Sequence, residues 1–578
     1  MTFGDGFRGH LRAATTGIPA CFEVASTSGS GTTFNGVLSG ETTAACHGEI
    51  YNARDLCNQL GLTAGTPLPQ LLAAGWQRWS ADLLLRLDGV FALAIRQGDE
   101  LLLFRDASGL RNLYFHTGRC GEITFSTDLA SLAVSPNSAP RLGRRSLHEY
   151  LRFLEIAPPH TLFEDITAVE AGQVVRWSTH GVEAGMLAAP RARGRVTSSF
   201  TAAVDALDAH LQRSVRTRLE GATRPAAFLS GGIDSALLCA IAAQHRKGLT
   251  AVTVGFDSAA YDESPVAQRI ASHLGITHQI LRFDRQDHLA AFERLGRAAD
   301  QPLADPASMA TVLAFDHCRA HFDAVLDGTG ADESLGMMPP RHVRLAVQYA
   351  SVLPARLRSV MARSLRAVPA LAGYAPIVDF EHPADTLARW HGFTRQQIEQ
   401  LCGEPVSLAH SQFHKTFDRY PRHAHLERYS ALLNAMTSDR LNQALLVTDA
   451  PVRFPFWDTE TDGFIRQLRT DYRYLPGQPK RILRALLARY VPTAIWDLPK
   501  HGFNFPLSEF LSGDNFLLLR RHLAPERWRA RGLLSVEQVQ RYGRDFMAGD
   551  QRLSFRVWAL VVLGAWLEHH DGLLGRSA

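Results

Sequence analysis

No stretch of this 578-residue chain comes near the ~20 consecutive apolar residues that cross a bilayer. The longest apolar run, Val557 to Leu567, is far shorter and reads as a buried helix. The amino terminus, Met1 to Arg12, is glycine-rich and has no apolar core of the kind a secretory signal carries. Cysteine is sparse and unpatterned: seven residues stand at 21, 46, 57, 120, 239, 318 and 402, with no CxxC pair. That set predicts reduced thiols and excludes a disulfide framework and a structural zinc site. Charge of one sign is also missing, since 61 basic against 57 acidic residues leave +4. No global field advertises nucleic-acid binding. Internal repeats and low-complexity tracts are absent. A soluble cytoplasmic protein without nucleic-acid or membrane partners is expected.

What is present is ordinary globular composition, 46% hydrophobic and 20% charged, over a length that implies about four ordinary domains or two to three large ones. Residues 1–190 read as strand-rich. Val90 to Ile95 and Glu100 to Arg105 predict a hairpin turning at Gln97-Gly98-Asp99, and Ile123 to Ser126 adds a strand. Pro190 to Ser199 has a linker's composition. Beyond it, Phe200 to Arg218 predicts an amphipathic helix with Val204, Leu207, Leu211 and Val215 on one face. Strands at Ala226–Leu229, Leu249–Phe256, His278–Phe283 and Ala324–Leu326 alternate with helices at Ser235–Gln244 and Val266–Leu274. That alternation predicts an α/β domain over 196–570 with a parallel, doubly wound sheet. The part after about residue 340 reads as helical.

The sharpest feature is Phe228-Leu-Ser-Gly-Gly-Ile-Asp-Ser235, between a strand and a helix. Gly231 and Gly232 let backbone approach a phosphate, and the helix N-terminus offers N–H groups and the positive dipole end. Ser230 and Ser235 add hydroxyls, and Asp234 can hold Mg2+ on the phosphates. No Lys follows, so this is not a GxxxxGK[ST] loop. A plain helix start with a tight glycine turn is the alternative reading.

The segment Ser230 to Ser235 resembles the pyrophosphate loop of N-type ATP pyrophosphatases, and more closely that of the asparagine synthetase family. Gly48-Glu-Ile-Tyr-Asn52, Leu87-Asp-Gly-Val-Phe-Ala92, Phe104 to Leu110 and Leu113-Tyr114 resemble that family's N-terminal domain. Thr161 to Ile166 and Gly172 to Trp177 resemble its inter-domain region. Gly328-Thr-Gly-Ala-Asp-Glu333, Pro479 to Arg484 and Pro499 to Phe503 resemble its later motifs. The resemblance implies an Ntn-hydrolase-like αββα sandwich over 1–190. It implies an adenine nucleotide alpha hydrolase-like ATP pyrophosphatase domain over 196–570, with a helical C-terminal part. It implies a reaction in which a carboxylate and ATP give an acyl-adenylate and pyrophosphate, and an amine then attacks. On that basis Leu229, Ser230, Gly231, Gly232, Asp234, Ser235 and Gly328 bind ATP, with Val254 where backbone meets adenine. Asp234 and Asp332 are the Mg2+ ligands. Lys500 stabilises developing charge, and Lys480 is a second phosphate candidate that reads equally as a solvated helix charge.

Two departures set the expected function. The family's glutaminase uses Cys as residue 2, where this chain has Thr2 followed by Phe3-Gly-Asp-Gly6. His47 replaces the Asn before Gly48-Glu49, and Cys21 is internal. Loss of glutamine hydrolysis is expected, leaving Glu49 and Asp88, which resemble glutamine contacts, vestigial. Thr329 stands where asparagine synthetases have Glu and the β-lactam synthetase branch has Tyr, so the usual base is missing; Asp449 is a displaced carboxylate candidate. A peptide α-amine, with a pKa of roughly 7.7–8.0, needs little help to lose its proton. This matches the lasso peptide cyclases, a glutaminase-deficient branch. That likeness implies a leader-free core peptide as substrate, with a leader peptidase and a leader-binding protein as partners. An ammonia-dependent amidotransferase, a β-lactam-type small-ring cyclase and a non-catalytic scaffold are the competing readings. Ser334 to Val378 holds six arginines (341, 344, 356, 358, 363, 366) and no acid, which a peptide could lie against if it is not simply a solvated face.

Overall fold

Alternating side chains along the strand Gly89–Gln97 set the architecture of the N-terminal half. Ala92 and Ala94 point one way into a core with Leu101, Leu103, Phe125 and Trp177. Phe91, Leu93 and Ile95 point the other way, onto the helices Ala53–Leu60 and Leu68–Trp79. The computed structural model describes residues 42–570, apart from 119–120, 134–140, 188–198, 337, 369, 372–373, 388–391, 422–423, 499–504 and 514–515. It also describes the backbone of four short strands within 1–41. Two six-stranded sheets face each other. One contains the strands Thr43–Ile50, Gly89–Gln97, Glu100–Arg105 and Gln173–Ser178, and the other contains Tyr114–Thr117 and Ile123–Ser126. Helices Leu129–Ala133 and Arg144–Phe153 cover the second sheet's outer side, around Tyr114. This is the expected αββα sandwich. The hairpin pairs Gln97 with Glu100, so its turn is Gly98-Asp99, one residue tighter than expected, with Gly98 at φ +60°. The linker reading of Pro190 to Ser199 lies almost wholly outside the described residues.

The second half is built on a five-stranded, wholly parallel sheet. Its strands are β1 (Pro225–Phe228), β2 (Thr250–Gly255), β3 (Thr277–Arg282), β4 (Ala324–Leu326) and β5 (Val452–Arg453), in the order β3-β2-β1-β4-β5. Ala226, Val252 and Val325 face one layer of helices, while Ala227, Ala251, Ala324 and Leu326 face the other. Helices α1 (Phe200–Arg218), α2 (Ile233–His245) and α3 (Ser264–Leu274) form one layer. The other contains α4 (Arg285–Ala298), α5 (Ala307–His321), α6 (His425–Thr448) and α7 (Ser554–His570). The α1 residues Val204, Leu207, Leu211 and Val215 are all buried. The short β5 was not anticipated: two residues carry no periodicity to read. The order reverses between β1 and β4, and the loops leaving those strands frame a switch point, where open α/β sheets place their ligands.

One hydrophobic core runs through both halves, and α7 closes it. Tyr150 Oη donates to Ala559 O at 2.8 Å, and Trp566 Nε1 donates to Ala299 O at 3.0 Å. Near the end of α7, Glu568 accepts from Arg521 (3.1 Å) and pairs with Arg527. Partial burial raises its carboxyl, but the two arginines outweigh that and bring it down to about 2 from 4.5. A depressed acid stabilises the fold above its unfolded pKa and loses that contribution as pH falls. Glu568→Gln is therefore expected to lower Tm at pH 7, with the gap to the native chain closing between about pH 4.5 and pH 2. A gap that persists unchanged at the acid end would show that packing, not charge, is responsible.

No described helix is long and apolar enough to cross a membrane.

Candidate active site

Leu229 leaves β1 fully buried, its N–H donating to Val252 O at 2.9 Å, and the chain then turns through Ser230-Gly-Gly232 into α2. The loop is held by its own hydroxyls. Gly232 N donates to Ser230 Oγ, Ser230 N donates to Ser235 Oγ, and the two hydroxyls lie 3.0 Å apart. Ser230 and Ser235 thus shape the loop first. No side chain caps the start of α2, so its first-turn N–H groups face the switch point available to an anion.

The loop after β4 closes onto this helix start. A Cβ on Gly328 would come within 3.1 Å of Ser235 N and 3.3 Å of Asp234 Cβ, so any larger residue would push the loop back from the helix start by a few tenths of an ångström. Gly330 takes φ +102°, with Phe456 and Trp457 against its back. It starts the short helix Ala331–Leu335, and its N–H donates to Glu333 Oε2 at 2.9 Å. Burial, reinforced by Asp332, raises Glu333 to about 7. This geometry brings Asp234 and Asp332 together, and Lys480 joins them. Its Nζ donates to Asp234 and lies 2.8 Å from Asp332 Oδ1. Lys480 is 8% exposed and takes φ +56° at the start of the helix Arg481–Leu487, so it is not a solvated helix charge. Burial works against its ammonium, but the two carboxylates win and hold it protonated. Asp234 Oδ1 is buried with no donor. Two convergent carboxylates with an unused oxygen fit Mg2+, which takes one or two carboxylates and completes its shell with phosphate and water.

Val254 lies at the C-terminal end of β2, on the same edge as these loops. Lys500 lies outside the described residues. Thr329 donates through both its N–H (2.8 Å) and its hydroxyl to Asp327 Oδ1. Asp327, whose carboxyl burial pushes up, is a further acid at the site; it stands just ahead of the Gly328–Glu333 motif, and no spacing in the sequence marks it. Asp449 does not join the cluster. It sits half-exposed at the end of α6, paired with Arg319 (3.3 Å) and Arg111 (3.5 Å). A cavity of about 1300 Å³ opens between the two halves, lined by Phe91, Tyr114, Glu427 and Asn442 among others. Trp457 lines it too, and also backs Gly330.

Glu49 and Asp88 tie the two halves together. Arg453, from β5, grips Glu49 through both carboxylate oxygens at 3.0 and 3.1 Å, with both side chains 6% exposed. Arg218, from α1, grips Asp88 at 3.0 and 3.3 Å, lies 3.6 Å from Asp458, and stacks 4.6 Å over Tyr51. The two arginines are joined, since Arg453 Nη1 donates to Arg218 O. The acids expected to have met a glutamine amine instead meet guanidinium groups of the other domain. His47, two residues before Glu49 on the same strand, is half-buried, and desolvation together with Arg111 holds it neutral.

Comparison with known proteins agrees with this geometry. The asparagine synthase family profile matches residues 206–568, and a glutamine amidotransferase domain profile matches 37–187. A Mycobacterium tuberculosis protein named as a glutamine-hydrolyzing asparagine synthetase is 26% identical, over 90% of this chain and 83% of its own length. Bacillus subtilis asparagine synthetase 1 is 23% identical, over 90% and 84%. The carboxyethyl-arginine β-lactam synthase of Streptomyces clavuligerus is 27% identical, over 51% and 56%. The match covers the sheet, both loops and Lys480 alike: the chain belongs to the asparagine synthase family, ATP-dependent ligases that form carbon–nitrogen bonds with release of AMP.

Proposed function

We propose that this protein is a macrolactam synthetase of the lasso peptide type. It activates an Asp or Glu side chain of a leader-free core peptide as an acyl-adenylate, and the peptide's own α-amine closes the ring. The observation that carries this reading is the engagement of Glu49 and Asp88 by Arg453 and Arg218, which turns both of these carboxylates away from a glutamine amine. Nitrogen must then come from another amine. An α-amine is partly neutral near pH 7.5, and the chemistry that remains is positioning. In the first step the carboxylate oxygen bonds to the α-phosphorus and pyrophosphate leaves. In the second the amine nitrogen bonds to the carbonyl carbon, AMP leaves, and the amine loses a proton.

The α2 N-terminus and Ser230–Ser235 bind the departing pyrophosphate, with Lys480 adding positive charge. Mg2+, held by Asp234 and Asp332, supplies charge neutralisation on the phosphates. The 1300 Å³ cavity exceeds what one amino acid needs and suits a folded peptide. A leader peptidase and a leader-binding protein are the partners this reaction calls for.

The test is a core peptide with a free amine, ATP and Mg2+, with the partner peptidase present. The expected result is loss of one water per AMP formed, unaffected by glutamine and abolished by N-acetylation of the peptide. The β-lactam synthase relative favours a second reading, small-ring closure or amidation with free ammonia. AMP release only on addition of ammonia or a small amino acid would select it and overturn the first.

A further inference from the structure

The arginine-rich stretch after the Asp332 loop has a property that its sequence did not disclose. Helices α8 (Arg341–Ser351) and α9 (Ala355–Ala367) are each anchored on one side only. Val347 and Ala350 pack into a small core with Phe153, Phe413 and Tyr429. Arg358 is buried, donating to Phe380 O and Leu353 O and stacking on the Phe380 ring, so it is a brace and no part of the surface. The opposite sides are bare. Among the described residues, fourteen large apolar side chains are exposed, and nine of them fall between Leu345 and Tyr374. Tyr349 is 70% exposed and Val352 81%. On α9, Leu357, Val360 and Met361 form one exposed stripe at helical spacing. Arg356 and Arg363 run beside it, and Arg341 stands at the start of α8. None of these three has a carboxylate partner among the described residues, and Ser334 to Val378 contains no acid. Scattered apolar residues need no explanation, but nine of fourteen concentrated in one 30-residue stretch of two neighbouring helices mark an interaction site.

We propose that α8 and α9 form a docking surface for an acidic protein segment that carries apolar side chains of its own, such as an amphipathic helix with a glutamate-rich flank. The charge of the patch calls for an acidic occupant, and its composition favours a protein. Arg, Tyr and Met are the residues enriched at protein interfaces. Membrane-surface helices carry Lys or Arg beside an apolar face in which Trp or Phe joins Leu, and residues 334–378 contain neither Trp nor Phe, which favours a protein occupant over a bilayer. A second copy docking through the same patch would set arginine against arginine across a two-fold axis. The inference does not depend on which amine the enzyme uses.

The probe is a fluorescent amphipathic peptide of about 20 residues, Leu on one face and Glu on the other, with a Lys-for-Glu twin as control. The full chain is expected to bind the Glu peptide and not the Lys peptide, with affinity falling several-fold between about 50 and about 300 mM salt. Arg356→Glu/Arg363→Glu and, separately, Leu357→Asp/Val360→Asp are each expected to weaken binding at least about tenfold. All four positions are exposed, and an unchanged Tm confirms that the variants fold. Four results would overturn the proposal: equal binding of the two peptides, no binding of either, binding that survives both double variants, or loss in those variants of co-sedimentation with phosphatidylglycerol vesicles or of concentration-dependent dimers in place of peptide binding.

Discussion

Asp234→Asn lowers ATP–pyrophosphate exchange by about 10³-fold, the scale of losing one preorganised charge contact at a reacting phosphate. The expectation follows from the triangle of Asp234, Asp332 and Lys480. Removing one carboxylate charge takes away a cation ligand and leaves the Lys480 ammonium held by Asp332 alone. That ammonium then shifts toward Asp332 and blocks the position a divalent ion would share. Lys480→Met separates the two contributions. It keeps both carboxylates, so ATP binding with Mg2+ is expected to survive while the exchange rate falls by about 10²-fold. Measuring exchange rate and ATP affinity on both variants checks this. A loss below tenfold in Asp234→Asn would place the triangle outside the chemistry and make it a structural ion cluster.

Glu49→Gln destabilises the protein by about 3 kcal/mol, the usual cost of breaking a buried, hydrogen-bonded ion pair from one side. Arg453 would keep its charge in a site that is 5% exposed, facing a neutral amide and Arg218 O in place of a carboxylate. Most of the cost is the stranded guanidinium, so Glu49→Gln/Arg453→Met is expected to recover a large part of the loss. Urea denaturation of both variants gives the comparison. The pair also acts at a distance. Arg453 O accepts from Asp327 N at 2.9 Å, so a loosened Arg453 perturbs the strand end from which Thr329 and Asp332 hang. Glu49→Gln is expected to slow adenylation as well as unfold more easily. A variant as stable as the native chain that also binds glutamine would restore the amidotransferase reading.

What the sequence disclosed and what it did not divide by distance along the chain. The β1 loop, α1 and the hairpin at Gly98 were legible because each is decided by neighbouring residues: apolar spacing, glycine placement, a strand running into a helix. The Asp234–Asp332 pairing was reached only through resemblance, since nothing local links residues about a hundred apart. Lys480 could not be told from a surface lysine because its left-handed backbone and burial are tertiary facts. The arginine grips were invisible for the same reason: Glu49 and Arg453 are separated by 404 positions, and each alone looks like an ordinary surface charge. The six arginines of 334–378 misled in the opposite direction, because one of them, Arg358, turns inward.

The contact between Tyr150 and Ala559 also has a meaning in time. A ribosome adds about 5–20 residues per second, so the 409 residues between the two take roughly 20 to 80 seconds to make. During that interval the amidotransferase-like half is already outside, with Tyr150 and Phe163 lacking the helix that will meet them. The first domain to emerge therefore waits, with an apolar wall exposed, for one of the last helices of the second. The chain's exposure to misassembly is set by how long translation takes, and a stall before residue 554 extends it in direct proportion.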